Sequence, residues 1–257
     1  MKQAVFVILL VLNSFVFAGY MFCAVGYDGE FAYIDPSVGQ VGPTYTNTGY
    51  RFQSLAKSPD GTMYAGTTDS SIHTINPQTG EVGGLVAQWS NSAFKGMAVS
   101  SDGQIYISSS YYFYAYDTKL DLFRNFGRIG GTVGTYKCNG LAFSPDGVLY
   151  GIASSSSSGI YKLVTIDLDT LTSSLVGYVE GIGASIVFTE DGSLFAVGGS
   201  NLAQLDPTDG SIIGDVIELS GSYSGLELIP EPATVCFLGL GFYYIAGKRK
   251  STEKMGY

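Results

Sequence analysis

The alternation of apolar and polar residues repeats four times along the chain, each time around an Asp-Gly pair. The four stretches are LAKSPDGTMYAGTT (55–68), MAVSSDGQIYISSS (97–110), LAFSPDGVLYGIAS (141–154) and IVFTEDGSLFAVGG (186–199). Their Asp-Gly pairs begin at residues 60, 102, 146 and 191, at spacings of 42, 44 and 45 residues. Alternating apolar residues on both sides of Asp-Gly are typical of a tight β-hairpin. We therefore predict that these four aspartates are turn residues and not metal ligands.

A second turn follows in most of the repeats. INPQTGEV (75–82) and LDPTDGSI (205–212) match IDPSVGQV (34–41). Proline sets φ at the second position of such a turn, and glycine closes it. Each repeat then consists of four antiparallel strands in roughly 40–45 residues, which is the blade of a β-propeller.

The two ends of the repeat region complement each other. Residues 22–42 align without a gap on residues 63–83 and supply the last three strands of a repeat, whereas SGLELIP (224–230) matches a first strand alone. Pairing such termini closes a ring and removes an exposed sheet edge. The predicted fold is therefore all-β, a five-bladed β-propeller over residues 19–229 that is closed by pairing of its N- and C-terminal strands.

Composition and charge agree with an all-β body and exclude one class of partner. Aromatic residues make up 14% of the chain, charged residues 14%, and there are 35 glycines. Residues 19–229 hold 8 Lys and Arg against 20 Asp and Glu. An acidic body repels phosphate backbones, so we expect no nucleic-acid partner. Cys23, Cys138 and Cys236 have the spacing of neither a disulfide framework nor a metal site, and we expect Cys23 and Cys138 to be buried free thiols.

The first residues, MKQAVFVILLVLNSFVFAGY, have the pattern of a secretory signal peptide. One lysine precedes the apolar run 4–12, and small or β-branched residues lie one and three positions before a cut after Ala18. We predict a signal helix over residues 1–18, removed by signal peptidase. The alternatives are a retained membrane anchor and a buried strand.

The last part of the chain resembles the PEP-CTERM sorting signal, a domain also called the ice-binding protein C-terminal domain. The resemblance rests on three features over residues 230–250: a Pro-Glu-Pro triplet, an uncharged apolar stretch and a basic cluster. The residues of the two motifs are Pro230, Glu231 and Pro232, then Lys248, Arg249 and Lys250. The resemblance implies recognition by a membrane exosortase and delivery to the cell envelope or extracellular matrix.

The apolar stretch 233–246 of this signal is predicted to be a short transmembrane helix, with residues 251–257 as a cytoplasmic tail. At about fourteen residues it falls short of the ~20 that a permanent spanning helix needs. We therefore expect transient anchoring before processing. The alternative is a last buried strand of the body.

The repeats themselves resemble the YVTN and NHL-like repeats of bacterial propellers. The shared features are the SPDG hairpins and the D-P-x-T-G turns, and the resemblance covers about residues 20–229. These motifs imply an architecture and not an activity, because turn residues recur wherever the backbone requires them.

Candidate ligand-binding residues lie in the loops between repeats, which would share one face of the ring, here called the top face. They combine aromatic rings with hydrogen-bonding groups, a mixture that suits sugar rings or a protein surface. The predicted set is Tyr50, Arg51, Trp89, Asn91, Tyr136, Lys137 and Tyr223. The alternative is that Trp89 and its neighbour Phe94 pack between blades.

No catalytic or metal-binding constellation can be assembled from the sequence, and no cofactor is expected. His73 is the only histidine and is interpreted as structural. The predicted function is an exported, non-enzymatic envelope or matrix protein with a binding or scaffolding role, whose ligand is an extracellular polysaccharide or a surface protein. The alternative is a calcium-dependent hydrolase of the propeller lactonase type, which needs no histidine.

Overall fold

The structure is a computed structural model that describes residues 20–46, 49–89, 94–109, 112–131, 137–154 and 160–229. These residues form 19 β-strands and contain no helix. The strands are β1 (Phe22–Gly26), β2 (Glu30–Asp35), β3 (Gly39–Thr46), β4 (Phe52–Lys57), β5 (Met63–Thr67), β6 (Ser71–Ile75), β7 (Val82–Gln88), β8 (Gly96–Val99), β9 (Ile105–Ser109), β10 (Tyr112–Asp117), β11 (Leu122–Arg128), β12 (Gly130–Gly131), β13 (Lys137–Phe143), β14 (Leu149–Ser154), β15 (Ile160–Asp167), β16 (Thr172–Glu180), β17 (Ser185–Phe188), β18 (Leu194–Leu205) and β19 (Ile212–Leu228).

The strands form four sheets in a propeller arrangement, so the prediction of five blades is wrong. Two sheets have four strands, in the orders β4-β5-β6-β7 and β8-β9-β10-β11, and one has five, in the order β12-β16-β15-β14-β13. The fourth sheet has six strands in the order β17-β18-β19-β1-β2-β3. It joins the fourth repeat to the two chain-end segments. The sequence pattern had assigned the fourth repeat to one blade and the two chain-end segments together to another.

Two long strands explain why these segments share a sheet. β18 spans 12 residues and β19 spans 17, so neither breaks where the repeat pattern predicts a turn. The last part of β19 pairs antiparallel with β1, from Phe22 opposite Leu228 to Gly26 opposite Tyr223. Beyond the ladder, the Ile229 N–H donates to the Met21 carbonyl at 2.9 Å.

The Asp-Gly turns form as predicted. In each, the glycine N–H donates to the carbonyl three residues earlier at 2.9–3.0 Å, and the glycine has a φ between 85° and 89°, where a side chain is strained. A Ser or Thr two residues before each aspartate donates to its carboxylate; these hydroxyls belong to Ser58, Ser100, Ser144 and Thr189. The role of the four aspartates as turn residues is thereby confirmed.

The sheets contact one another along their inner strands. β4 contacts β8, β8 contacts β13, β13 contacts β17, and β19 contacts both β17 and β4. Small residues allow this approach: a Cβ placed on Gly140 would lie 2.7 Å from the Ser185 Cα, and one on Gly225 would lie 2.9 Å from the Ser54 carbonyl carbon. We call Ser54, Gly96, Gly140, Ser185 and Gly225 the neck.

Replacing Gly140 by Ala is expected to destabilise the protein by about 1–3 kcal/mol. The added methyl meets backbone atoms of β17, which cannot rotate away as a side chain can. Urea denaturation measures the loss. Gly84→Ala is the matched control, because Gly84 is exposed in β7 and a Cβ there meets nothing within 4 Å. Equal stability of the two variants would contradict close packing at the neck.

The expected membrane-spanning helix is corrected by the structure. Within the described residues there is no helix of the length and apolar character needed to cross a membrane. The two segments predicted to be helical, 1–18 and 233–246, lie outside the described residues, as do the sorting motif and the tail 251–257.

The buried-thiol prediction is confirmed for Cys23 and Cys138. Both are free and buried. Burial raises the pKa of each thiol, in the case of Cys138 to about 12, so both stay protonated and unreactive near neutral pH.

Candidate functional site

Among the described residues, the predicted top-face residues differ in how exposed they are. Asn91 and Tyr136 lie outside the described residues. Trp89 is half-buried, with its ring centre 4.9 Å from that of Phe123, and Phe94 is fully buried. These contacts match the alternative of packing between sheets.

The remaining members of the predicted set have different environments. Tyr223 is only 1% exposed, and its hydroxyl donates to the Gln40 Oε1 at 2.8 Å. Lys137 is half-buried at the start of β13. Tyr223 therefore acts as a packing residue of the six-stranded sheet.

Tyr50 and Arg51 lie at the junction between the six-stranded sheet and the sheet β4–β7. The Arg51 guanidinium carbon is 5.3 Å from the centre of the Tyr27 ring, in the turn between β1 and β2. The Tyr50 ring meets the His73 imidazole edge-on, with 4.7 Å between ring centres. This contact places one predicted binding residue, Tyr50, beside a polar group that the sequence interpretation had not assembled.

That polar group consists of Thr67, Asp69, Ser71 and His73, and we call it the upper group. Thr67 ends β5, Asp69 lies in the turn, and Ser71 and His73 are alternate residues of β6, so their side chains share one face. Thr67 Oγ1 and Ser71 Oγ both donate to Asp69 Oδ1, the latter at 2.6 Å. Ser71 Oγ lies 3.2 Å from His73 Nε2.

The tautomer of His73 depends on where the single proton of the Ser71 hydroxyl goes. When Ser71 donates that proton to Asp69 and not to Thr67 Oγ1, which lies 2.7 Å from Ser71 Oγ, Ser71 Oγ accepts from the His73 Nε2–H. His73 Nδ1 is then a bare acceptor, and it is buried without a hydrogen-bond partner in the part of the chain that the structure describes. The residue as a whole is 7% exposed.

Asp69 holds this arrangement in its ionised form. Burial works to raise the pKa of Asp69, but hydrogen bonds from Ser71 and Thr67 outweigh it and bring the pKa below its usual value. Asp69 itself is exposed at the turn, whereas the other three residues are buried. The upper group therefore runs from solvent to a buried imidazole.

The repeat alignment shows how unusual His73 is. The equivalent third-strand positions in the other repeats carry the buried residues Ala32, Tyr114, Val164 and Ala203. The pattern Thr-x-Asp-x-Ser also occurs at residues 189–193, where Phe195 takes the place of His73. Comparing the repeats position by position therefore identifies His73 as an exception, which the amino-acid composition alone does not show.

A second pair of charged residues departs from the repeat pattern, and we call Lys57 and Glu227 the lower group. Glu227 stands where the other repeats have Ala56, Ala98, Ala142 and Val187, and Lys57 stands where they have Val99, Phe143, Phe188 and Leu228. Glu227 Oε2 accepts from the Lys57 backbone N–H at 3.1 Å, and Oε1 accepts from the Leu228 N–H at 2.9 Å.

Burial raises the pKa of Glu227 to about 7, although the Lys57 charge and the two backbone donors act in the opposite direction. Glu227 as a whole residue is half-buried. The lower group thus holds a carboxyl that titrates near neutral pH.

The inner strands do not provide ligands suited to calcium. The residues that immediately precede the neck are Gln53, Lys95, Asn139, Ala184 and Ser224. Calcium prefers carboxylate oxygens, and this set contains a lysine and no carboxylate. Within the described ranges, no three His, Cys, Asp or Glu residues are grouped so as to hold a metal ion.

Two members of this set donate from their side chains to backbone carbonyls within the fold. Asn139 Nδ2 donates to the Gly183 carbonyl at 3.0 Å, and Ser224 Oγ donates to the Phe52 carbonyl at 2.9 Å. The donor set therefore does not fit the calcium site of the lactonase alternative.

Comparisons with known proteins support the fold. No family model matches the chain, and no curated protein matches it either. Among solved structures, a gluconolactonase from Xanthomonas campestris is similar with a TM-score of 0.54 and 14% identity, over 81% of this chain and 79% of that one. At this identity the likeness shows the propeller fold alone.

Two further solved structures are similar at lower scores. A protein of unknown function from Bacteroides caccae has a TM-score of 0.46 and 12% identity, over 78% of this chain and 73% of that one. The hydrazine synthase of Kuenenia stuttgartiensis has a TM-score of 0.44 and 15% identity, over 78% and 67%.

Proposed function

We propose that the protein is a hydrolase of the lactonase type, acting on a small polyhydroxylated lactone, with His73 as its general base. The observation that carries the proposal is the buried His73 Nδ1, which has no hydrogen-bond partner among the described residues and is a bare acceptor when Ser71 donates to Asp69. Imidazole is the side chain most often used as a general base. The gluconolactonase with the same fold supports the choice of lactone as the reacting group.

In the proposed reaction, His73 Nδ1 takes a proton from a water molecule as its oxygen attacks the lactone carbonyl carbon. The imidazolium that forms is stabilised by the Asp69 carboxylate through the Ser71 hydroxyl. The ring C–O bond then breaks, and the leaving oxygen takes the proton back from His73. One lactone and one water yield one hydroxy acid, and no step passes through a metal ion.

Access to the imidazole depends on Tyr50, whose ring lies against it. Tyr50 is half-buried, so a side-chain rotation would expose His73 to a substrate arriving beside Arg51. The exposed Arg51 supplies a positive charge that can hold the carboxylate of the product. The envelope location expected from the terminal motifs remains part of the proposal.

The test is hydrolysis of δ-aldonolactones by the purified full chain, followed by acid release and corrected for spontaneous opening. We expect Asp69→Asn to lower the rate about 10- to 100-fold, because Asn holds Ser71 without stabilising an imidazolium. Asp191→Asn is the matched control, since Asp191 lies in the same Thr-x-Asp-x-Ser pattern without a histidine. EDTA is expected to leave the rate unchanged.

Absence of hydrolysis by the unaltered protein would overturn the enzymatic proposal. If that protein instead binds sugars saturably and Arg51→Ala abolishes binding, the non-enzymatic binding role is favoured. Equal rates for Asp69→Asn and Asp191→Asn would show that the upper group takes no part in the reaction.

A further inference from the structure

The lower group lies at the contact where the six-stranded sheet meets the sheet β4–β7, which we call the closing seam. β19 contacts β4 here, and Glu227 of β19 accepts a hydrogen bond from the backbone of Lys57 in β4. The other contacts between neighbouring inner strands have apolar residues at both equivalent positions. The closing seam is therefore distinguished by a charged pair that the other repeats lack.

The geometry of this pair leaves the carboxylate without a close ammonium partner in the part of the chain that the structure describes. The Lys57 Nζ donates to the Leu228 carbonyl at 3.3 Å, and both carboxylate oxygens of Glu227 accept only backbone N–H groups among the hydrogen bonds observed. Removing a carboxylate from water is costly unless it is fully paired. Loss of the negative charge relieves that cost at the seam.

The charged or titratable groups that face Glu227 come from two neighbouring strands, β4 and β1. Lys57 belongs to β4, and Cys23 of β1 donates from its thiol to the Glu227 carbonyl at 3.6 Å. Burial and the Glu227 charge raise the pKa of Cys23, so this thiol does not titrate in the same range. Around them, apolar side chains from β1, β2, β4 and β5 form one packed cluster.

We propose that the protonation of Glu227 controls how firmly the closing seam is held, so that the seam is tight in mildly acidic surroundings and looser in alkaline ones. This pH dependence is independent of the upper group and of any hydrolysis. It gives the protein a response to pH at the contact between the six-stranded sheet and the sheet β4–β7.

The direction of the pH effect on stability follows from the linkage between protonation and folding. The pKa of Glu227 is raised from the ordinary value of 4.5 to about 7 in the folded protein. Below about pH 4.5 the group is protonated in both states, and its contribution to stability is fully present. As pH rises through about 7 that contribution is lost, because the unfolded state has already released its proton and the folded state must follow.

The experiment measures thermal midpoints and amide hydrogen exchange of the full chain between pH 5 and 8. We expect the midpoint to fall by roughly 5 °C over this range, and Glu227→Gln to flatten that slope. Glu218→Gln is the matched control, because Glu218 is an exposed glutamate of the same strand and should leave the slope unchanged. Exchange rates are corrected for the intrinsic effect of pH.

Amide hydrogen exchange shows which strands lose protection as the pH rises. Protection should decrease with pH at the β4 and β19 amides of the seam and stay constant at β9 and β10, which lie in another sheet. A Glu227→Gln variant with an undiminished slope would overturn the proposal. So would loss of protection spread evenly over all four sheets in the unaltered protein, a result that does not depend on how the variant folds.

Discussion

Replacing His73 by Gln is expected to reduce lactone hydrolysis at least about 100-fold while leaving the protein folded. The terminal amide of Gln reaches the position of the imidazole Nε2 and can still donate to Ser71 Oγ, so the hydrogen bond at 3.2 Å has a replacement. What disappears is the basic Nδ1. The measurement is the rate of acid release from a δ-aldonolactone at saturating substrate.

The informative comparison is with His73→Asn, which places an amide near Nδ1 but cannot reach Ser71. Both variants lack a base, so both should lose activity, yet only His73→Asn should also lower the thermal midpoint. A His73→Gln protein that retains the full rate would exclude His73 as the base. In that case the relay from Asp69 through Ser71 would have only a structural role.

Replacing Phe22 by Ala is expected to cost about 3–5 kcal/mol of stability, the largest effect of any single truncation at the paired chain ends. Phe22 is fully buried, lies opposite Leu228 in the β1–β19 ladder, and packs with its ring centre 5.0 Å from that of Phe195. Its loss leaves a cavity where β1 and the fourth repeat are packed together.

Urea denaturation gives the cost for Phe22→Ala, and Tyr178→Ala is the control. Tyr178 is an aromatic residue of similar size that is 60% exposed, so its truncation should change stability by no more than about 0.5 kcal/mol. A cost below about 1 kcal/mol for Phe22→Ala would mean that pairing of the chain ends contributes little to the fold.

The features that depend on residues close together in the sequence were predictable from the sequence alone. An Asp-Gly turn needs a positive φ at glycine and a hydroxyl two residues before the aspartate, and Asp60, Asp102, Asp146 and Asp191 all have both. The antiparallel strands and the buried thiols followed from the same local patterns. The division into sheets did not, because it depends on whether β18 and β19 run on without a break.

The candidate site was less predictable, since it depends on which side chains meet across strands. Tyr50 and Arg51 were chosen for their chemistry, and their contacts with His73 and Tyr27 come from the approach of two sheets. His73 was interpreted as structural because it is the only histidine and lies at an alternating position of a predicted third strand. Its partners are Ser71 and Asp69 at spacings of two and four residues, which a strand and a turn bring together.

The pairing of β1 with β19 has a mechanical consequence. The ladder is antiparallel, and its outermost link is the bond between Met21 and Ile229, so the first and last described residues lie at the same end of the ladder. A force that pulls these ends apart loads the bonds one at a time and unzips the ladder. A force between one end and a ligand at the upper group instead loads several bonds together in shear. The same protein would therefore open easily when stretched by its two ends and resist when it bears tension from one.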